Sequence, residues 1–519
     1  MKIERTQNAK RNMVFGTVLK LYQIIIPFLM RSFIVYCLGV QYLGLNSLFT
    51  SVLQVLNLAE LGVGSAMVYS MYEPITKDDT VTICALMNLY KWYYRIIGAV
   101  VLIVGIALTP FIPKLIKGDV PADINIYILY LLNLFATVLT YWILAYRNSV
   151  LQAYQRVDVV SRVNIITDTV KYILQIGALF VFKNYYLYVI AILLSQMTMN
   201  IIIALESKKM YPDIQPVGKL PKETTREINK RIKALFTAKL GTTIVNSVDT
   251  IVISSFLGLT ALAIYQNYYF IMTAVIGVIG VLLSACTAGI GNSLILETVE
   301  KNYIDFKKFN FMLIWLAGIC VCCFLNLYQP FMILWMGSEN LLNMGCVVLM
   351  CVYFYLYTVN HFMCTYKDAA GMWYEDRFRP LVAALVNLTL NLLLVRYIGL
   401  FAIIFSTVAS YIIVTIPWLI YNLFTVIFKM SAKDFIKKFI KYIFIVCLAA
   451  TISYVICIEL PATGVVTIIL RLIVSVTIPN IVFLIFLGRG QEFEGSLEMV
   501  DRLTQNKLCK ITNILRKRT

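Results

Sequence analysis

VFGTVLKLYQIIIPFLMRSFIV, residues 14–35, is a run of 22 residues in which a few spaced polar positions interrupt an otherwise apolar stretch. About 20 apolar residues carry a helix across roughly 30 Å of hydrocarbon, so the run predicts a membrane span. Its polar set, Gly16, Lys20, Gln23, Pro27 and Arg31, recurs at helical spacing. Lys20 and Arg31 are eleven residues apart, about three turns, which places both charges on one face about 16 Å from each other. An intramembrane Lys or Arg costs at least about 2.5 to 3.5 kcal/mol on insertion scales, so this face requires a wet cavity or a counter-ion. Snorkelling toward an interface is the competing account, stronger for Arg31 near the outer end.

The pattern returns 219 residues later, where Lys239 lies in ALFTAKLGTTIVNSVDTIVISSFL, residues 234–257. Lys239, Thr243, Asn246, Thr250 and Ser254 form one stripe there, with Asp249 beside it. Thr, Asn and Ser on one face either line a hydrophilic passage or hydrogen-bond between packed helices.

Similar apolar runs recur to Leu487, giving about fourteen spans centred near Ile25, Leu53, Val101, Phe135, Leu174, Ala191, Val248, Val275, Ala317, Val352, Leu388, Thr407, Val446 and Ile473. With 60% hydrophobic and 14% charged residues and a mean hydropathy of +0.80, the chain is an all-α polytopic membrane protein. Its runs are too long and too uniformly apolar for barrel strands. The first run follows a basic start but contains Lys20 and Arg31 and lacks a small-residue cleavage site, so it is read as a helix and not a signal peptide.

A cytoplasmic N-terminus puts about 34 of the 45 Lys and Arg on the inner side and about four (Lys114, Lys117, Lys183, Arg396) outside, which predicts that both termini are cytoplasmic. The net charge of +18 reflects this loop bias and not nucleic-acid binding. The basic tail at Arg516, Lys517 and Arg518 suits anionic lipid. Twelve scattered cysteines lack metal-ligand spacing and read as core filling.

One long polar interruption, from Glu206 to about Lys233, separates six spans from eight. The expected organisation is an N-lobe over 1–205, a cytoplasmic linker over 206–234, a C-lobe over 235–430, two further helices over 431–487 and a cytoplasmic basic tail over 488–519. Leu38, Gly39 and Leu43 match Leu257, Gly258 and Leu262 at an offset of 219, and Tyr146, Arg147 and Tyr154 match Tyr366, Lys367 and Tyr374 at 220. Six crossings between equivalent points give both copies the same orientation, which predicts two six-helix lobes related by a pseudo-twofold along the membrane normal and facing a cavity.

Further charges lie within the spans. Lys91 and Arg95 are four apart beside Tyr90 and Tyr94; they either lie in the inner leaflet, where they would receive a diphosphate, or anchor the interface. Asp168 and Lys171, three apart, most simply pair with each other. Glu60 and Asp249 are candidates for a Na+ or H+ coupling site or for a salt bridge with a lysine. His361, the single histidine, is read mainly as packing, with a proton role as the alternative.

Three stretches resemble a known family: LGVQYLGLNSLFTSVLQVLNLAELGVGSAMVYSMY (38–72), YKWYYRIIG (90–98) and GMWYEDRFRPLVAALVNLTLNLLLVRYIGL (371–400). They look like the polysaccharide repeat-unit flippases of the multidrug/oligosaccharidyl-lipid/polysaccharide (MOP) exporter superfamily. The resemblance covers essentially the whole chain through diffuse Gly, aromatic and apolar patterns. It implies twelve to fourteen helices in two lobes and a substrate of undecaprenyl-diphosphate-linked oligosaccharide, turned from the inner to the outer leaflet of a bacterial or archaeal plasma membrane. Capsule, O-antigen or exopolysaccharide synthesis would follow, alongside polymerase or assembly proteins.

Lys20, Arg31, Lys91, Arg95 and Lys239 would then be cavity cations, with Gln23, Thr243, Asn246 and Thr250 as polar lining. One charge pair at about 4 Å is worth about 4 kcal/mol at an effective dielectric of 20, enough to offset the insertion cost of a lysine. A multidrug or lipid II-type transporter of the superfamily is the alternative; the multidrug form would place an acid, not two cations, on the first helix. A membrane glycosyltransferase or polymerase is weaker still, because the outer loops are short and the first carries no charge. No catalytic or metal-binding pattern and no nucleotide-binding motif is present.

Overall fold

The structure is a computed structural model that describes residues 5–118, 120–461 and 464–503. It is helical throughout, with no strand among the described residues. This follows from the bilayer, where backbone groups must be satisfied within the segment. Two compact units divide the chain, Met1–Ala263 and Ile264–Thr519.

In the first unit, α1 (Arg5–Cys37) leads through Gly39, at φ 112°, into α2 (Val40–Leu56). A short 3-10 turn at Asn57–Glu60 and Gly62, at φ 87°, separate α2 from α3 (Val63–Thr76). Helix α4 (Thr80–Leu108) is capped by Asp79, whose side chain accepts from Thr82 N at 3.0 Å. An Asn125 cap starts α5 (Ile126–Trp142), which bends into α6 (Asn148–Ala153). Next come α7 (Val157–Phe180), α8 (Tyr185–Met210) and α9 (Lys222–Leu257). Pro221 precedes α9, and the good helix formers of Lys222–Lys233 continue directly into the span, so the polar interruption is helical over its second half. Its loop is confined to residues 211–221.

Helix α1 packs along α7, and α7 along α8. Tyr22 shares a hydrogen bond with Thr169 at 2.8 Å, and the Phe33 and Phe180 rings meet at 5.4 Å. At its other end, Asn12 donates to Gln155 O at 2.9 Å and accepts from Asp158 N at 2.7 Å.

Gly258, at φ 94°, separates α9 from α10 (Leu259–Leu296). The second unit continues with α11 (Val299–Met336), α12 (Met344–Ala369), α13 (Arg379–Ile398), α14 (Leu400–Ser410) and α15 (Ile416–Asn422). A π-helical turn at Tyr411–Thr415 joins α14 to α15, and a second at Leu423–Ile427 extends α15, making one span, Leu400–Ile427. Then follow α16 (Lys433–Ile458), α17 (Val465–Leu487) and α18 (Gln491–Leu503). The aromatic core around Phe306, Phe362, Tyr366, Phe428 and Phe435 closes one end of this unit, with ring centroids 4.9 to 5.5 Å from Phe306 for four of its contacts.

Eleven helices, or thirteen spans with the bent pairs α2/α3 and α5/α6, are long and apolar enough to cross a membrane. Helix α7, with 24 residues, is long enough but carries Asp158, Arg162, Asp168 and Lys171; with it the count among the described residues reaches fourteen. Every predicted span centre falls inside one of these helices. The tail residues Arg516, Lys517 and Arg518 lie outside the described residues; before them, α18 is an amphipathic helix that docks Phe493 against Trp315 at 5.5 Å, a feature the sequence reading did not separate from the tail.

Candidate functional site: a tyrosine-held acid and a set of span cations

The break between α2 and α3 presents Glu60 to α4 and α5. Tyr94 donates to Glu60 Oε1 at 2.7 Å and Tyr141 to Oε2 at 3.1 Å, while Tyr90 donates to the Tyr94 hydroxyl at 2.6 Å. All three tyrosines are buried and the carboxyl is half-buried. The turn needs Gly62 twice over: its φ is positive, and an added Cβ would lie 2.6 Å from Leu235 Cβ on α9. Gly64 leaves room for the Tyr90 hydroxyl, 3.0 Å from where its Cβ would be. No Lys or Arg pairs with Glu60 among the described residues. The carboxylate is therefore oriented by neutral donors, an arrangement able to accept a proton or a small cation without first breaking a salt bridge.

In sequence, Tyr90 and Tyr94 stand beside Lys91 and Arg95. On α4 the two pairs diverge: the tyrosines turn inward to Glu60, whereas Lys91 is half-buried and Arg95 is exposed with its guanidinium 5.6 Å from the Trp92 ring. Because the helix begins at Thr80, both cations lie well inside it. On α1, Lys20 and Gln23 are exposed and Arg31 is half-buried with a partner. No carboxylate pairs with Lys20, Lys91 or Arg95 among the described residues.

On α9, Lys239 is exposed and donates to Ser65 on α3 at 3.3 Å, among its contacts. Thr243 is half-buried and turns its hydroxyl back to Lys239 O at 3.1 Å; Asp249 and Thr250 are buried and partnered. The Asn246 side chain lies outside the described residues. Asp168 and Lys171 pair at 2.6 Å on α7. Nearby, fully buried Asp158 is gripped by Arg156 at 2.9 Å and Arg162 at 2.7 Å, a pairing the sequence signalled only as acid and base at i,i+4. In the second unit His361 is half-buried, edge-on to Tyr357 at 6.0 Å, and its Cε1 lies 3.1 Å from where a Cβ on Gly280 would sit. Among the described residues no group of three or more His, Cys, Asp or Glu converges on a metal position, and the cysteines are unbridged.

Eleven to thirteen helices of membrane-spanning length and apolarity among the described residues, with a bent second span and charges held inside them, define a polytopic membrane protein. The polysaccharide biosynthesis protein family matches residues 9–287, more than half of the chain, and the protein belongs to that family. Its fold is similar to that of solved MOP-superfamily proteins. The lipid II flippase MurJ, in an inward closed conformation, aligns with a TM-score of 0.68 at 13% identity over 91% of this chain and 98% of its own. An inward-facing multidrug resistance MATE family transporter gives 0.59 at 16% identity over 78% and 97%. An outward-facing MATE family transporter gives 0.53 at 15% identity over 82% and 97%. A comparison with curated proteins by sequence finds no match.

Proposed function

We propose that the protein is a flippase for undecaprenyl-diphosphate-linked oligosaccharide repeat units, carrying them from the inner to the outer leaflet for capsule, O-antigen or exopolysaccharide synthesis. The observation that carries the reading is the charge balance of the first unit. Asp158 and Asp168 are consumed by Arg156, Arg162 and Lys171, and Glu60 by tyrosines, while Lys20, Lys91 and Arg95 have no acidic partner among the described residues. Cations left over in membrane helices favour an anionic headgroup over a cationic drug. Family membership supports a glycan cargo. The Glu60 cluster supports coupling to a Na+ or H+ gradient, since its acid is held without a counter-ion.

Proteoliposomes loaded with a fluorescent undecaprenyl-diphosphate oligosaccharide on one leaflet test the reading. Gradient-dependent appearance of that lipid on the other leaflet is expected, with no uptake of a cationic dye. Dye uptake without lipid movement would place the protein among drug exporters. A reporter fused after Thr519 should be cytoplasmic; an external signal would overturn the orientation.

A further inference from the structure

A polar cavity in the first unit, lined by none of Glu60, Tyr90, Tyr94 or Tyr141, lies where the 77–79 turn meets the start of α9. It holds about 450 Å³ between the last turns of α3, the first turn of α4 and the first turns of α9. That volume lies within the range of small-ligand sites, roughly 300 to 1,000 Å³.

Two tyrosines form one wall. Tyr69 and Tyr72 are 60% and 44% exposed, with ring centroids 6.1 Å apart at 71°, and Arg231 lies 4.8 Å over the Tyr69 ring. The remainder of the wall is charged: carboxylates from Glu73, Asp79 and Glu227 face cations from Lys77 and Arg231, a net of −1. Lys77 pairs with Glu73 at 2.7 Å, and hydrogen bonds from the Thr82 hydroxyl and backbone N–H hold Asp79 below the usual carboxylate range. Glu227 has no hydrogen bond or ion pair among the described residues.

A net negative charge disfavours the diphosphate as the ligand. The chemistry suits a sugar. A pyranose offers a C–H face that packs on an aromatic ring and hydroxyls that both donate to carboxylates and accept from Lys or Arg, and the charged partners make those hydrogen bonds stronger than neutral ones. We propose that this cavity binds the oligosaccharide end of the lipid-linked substrate at the inner mouth of the first unit, separately from the cations that receive its diphosphate. The inference rests on the flippase reading and adds a site to it. The predicted topology puts the 77–79 turn on the cytoplasmic side, where repeat units are assembled.

The test uses the full chain in nanodiscs and, as probe, the free oligosaccharide released by mild acid from the carrier lipid of cells that make this protein. Saturation-transfer NMR should show the sugar binding to the wild type. Affinity should fall about tenfold, the effect of one lost contact, in Tyr69→Ala and in Glu227→Gln, and stay near wild type in Tyr69→Phe. Thr224→Trp, which fills the cavity from its α9 rim, should block binding without removing a polar group, and so serves if the other variants misfold. Inorganic pyrophosphate should not compete. Undiminished sugar binding in Glu227→Gln and Thr224→Trp, competition by pyrophosphate, or binding of a lysine-rich peptide in place of the sugar would overturn the inference. If the wild type flips the lipid-linked substrate while the cavity variants bind the sugar as it does, this site fails and the flippase reading stands. If the wild type moves no lipid-linked glycan at all, both fail.

Discussion

The second span of the first repeat and its counterpart in the second start alike and then diverge. Gly39, at φ 112° and ψ 166°, leads into α2, and Gly258, at φ 94° and ψ 176°, leads into α10. From there α10 runs unbroken for 38 residues, whereas the first copy breaks at Asn57–Gly62. At the offset of 219, Glu60 corresponds to buried Ile279 and Gly62 to Val281; at 220, Tyr141 corresponds to His361. In the second unit the residue after Ile279, Gly280, comes close to His361: a Cβ there would lie 3.1 Å from its Cε1. A break inside hydrocarbon frees backbone groups and is tolerated only where protein or water satisfies them, so the broken copy is the one expected to carry function.

The comparison breaks most severely if the first copy is made like the second. Gly62→Val places a branched side chain at positive φ against Leu235 and the Ile232 carbonyl; it should destabilise the protein by about 3 kcal/mol or more, seen as a large drop in melting temperature in detergent. The reverse change, Val281→Gly in α10, should cost only about 1 kcal/mol. Equal losses would mean that the break has no special geometry.

Glu60→Ile leaves the Tyr94 and Tyr141 hydroxyls without their acceptor and should cost about 1 to 3 kcal/mol for each one left buried and unsatisfied. Glu60→Gln keeps an acceptor and should cost about 1 kcal/mol while abolishing the response of transport to a Na+ or H+ gradient. A retained response in the Gln variant would remove Glu60 from coupling. Tyr141→Phe should likewise lose about 1 kcal/mol, one net hydrogen bond. His361→Phe, at the equivalent position, should leave the gradient response intact; its loss would shift the coupling site to the second copy.

The spans were legible because apolar length is a strong signal, and even charged α7 was recognisable from the run around Leu174. Glu60 stood out as an acid in hydrocarbon, but its surroundings did not: Tyr94 and Tyr141 are 34 and 81 residues away, and only packing brings them together. The adjacency of Tyr90 and Tyr94 to Lys91 and Arg95 suggested a common site. Neighbours in sequence are about 100° apart on a helix, so the aromatic and cationic pairs address different surroundings. The helical start of α9 was hidden by its charge, since polar residues with good helix propensity look like a linker until something packs on them.

The claim that span cations receive an anionic lipid-linked glycan is tested most directly by replacing Lys20 and Lys239 together with Ala and measuring movement of undecaprenyl-diphosphate oligosaccharide in proteoliposomes. The account predicts a correctly inserted protein of near wild-type melting temperature that no longer moves the lipid. Transport at the wild-type rate in that double variant would contradict it.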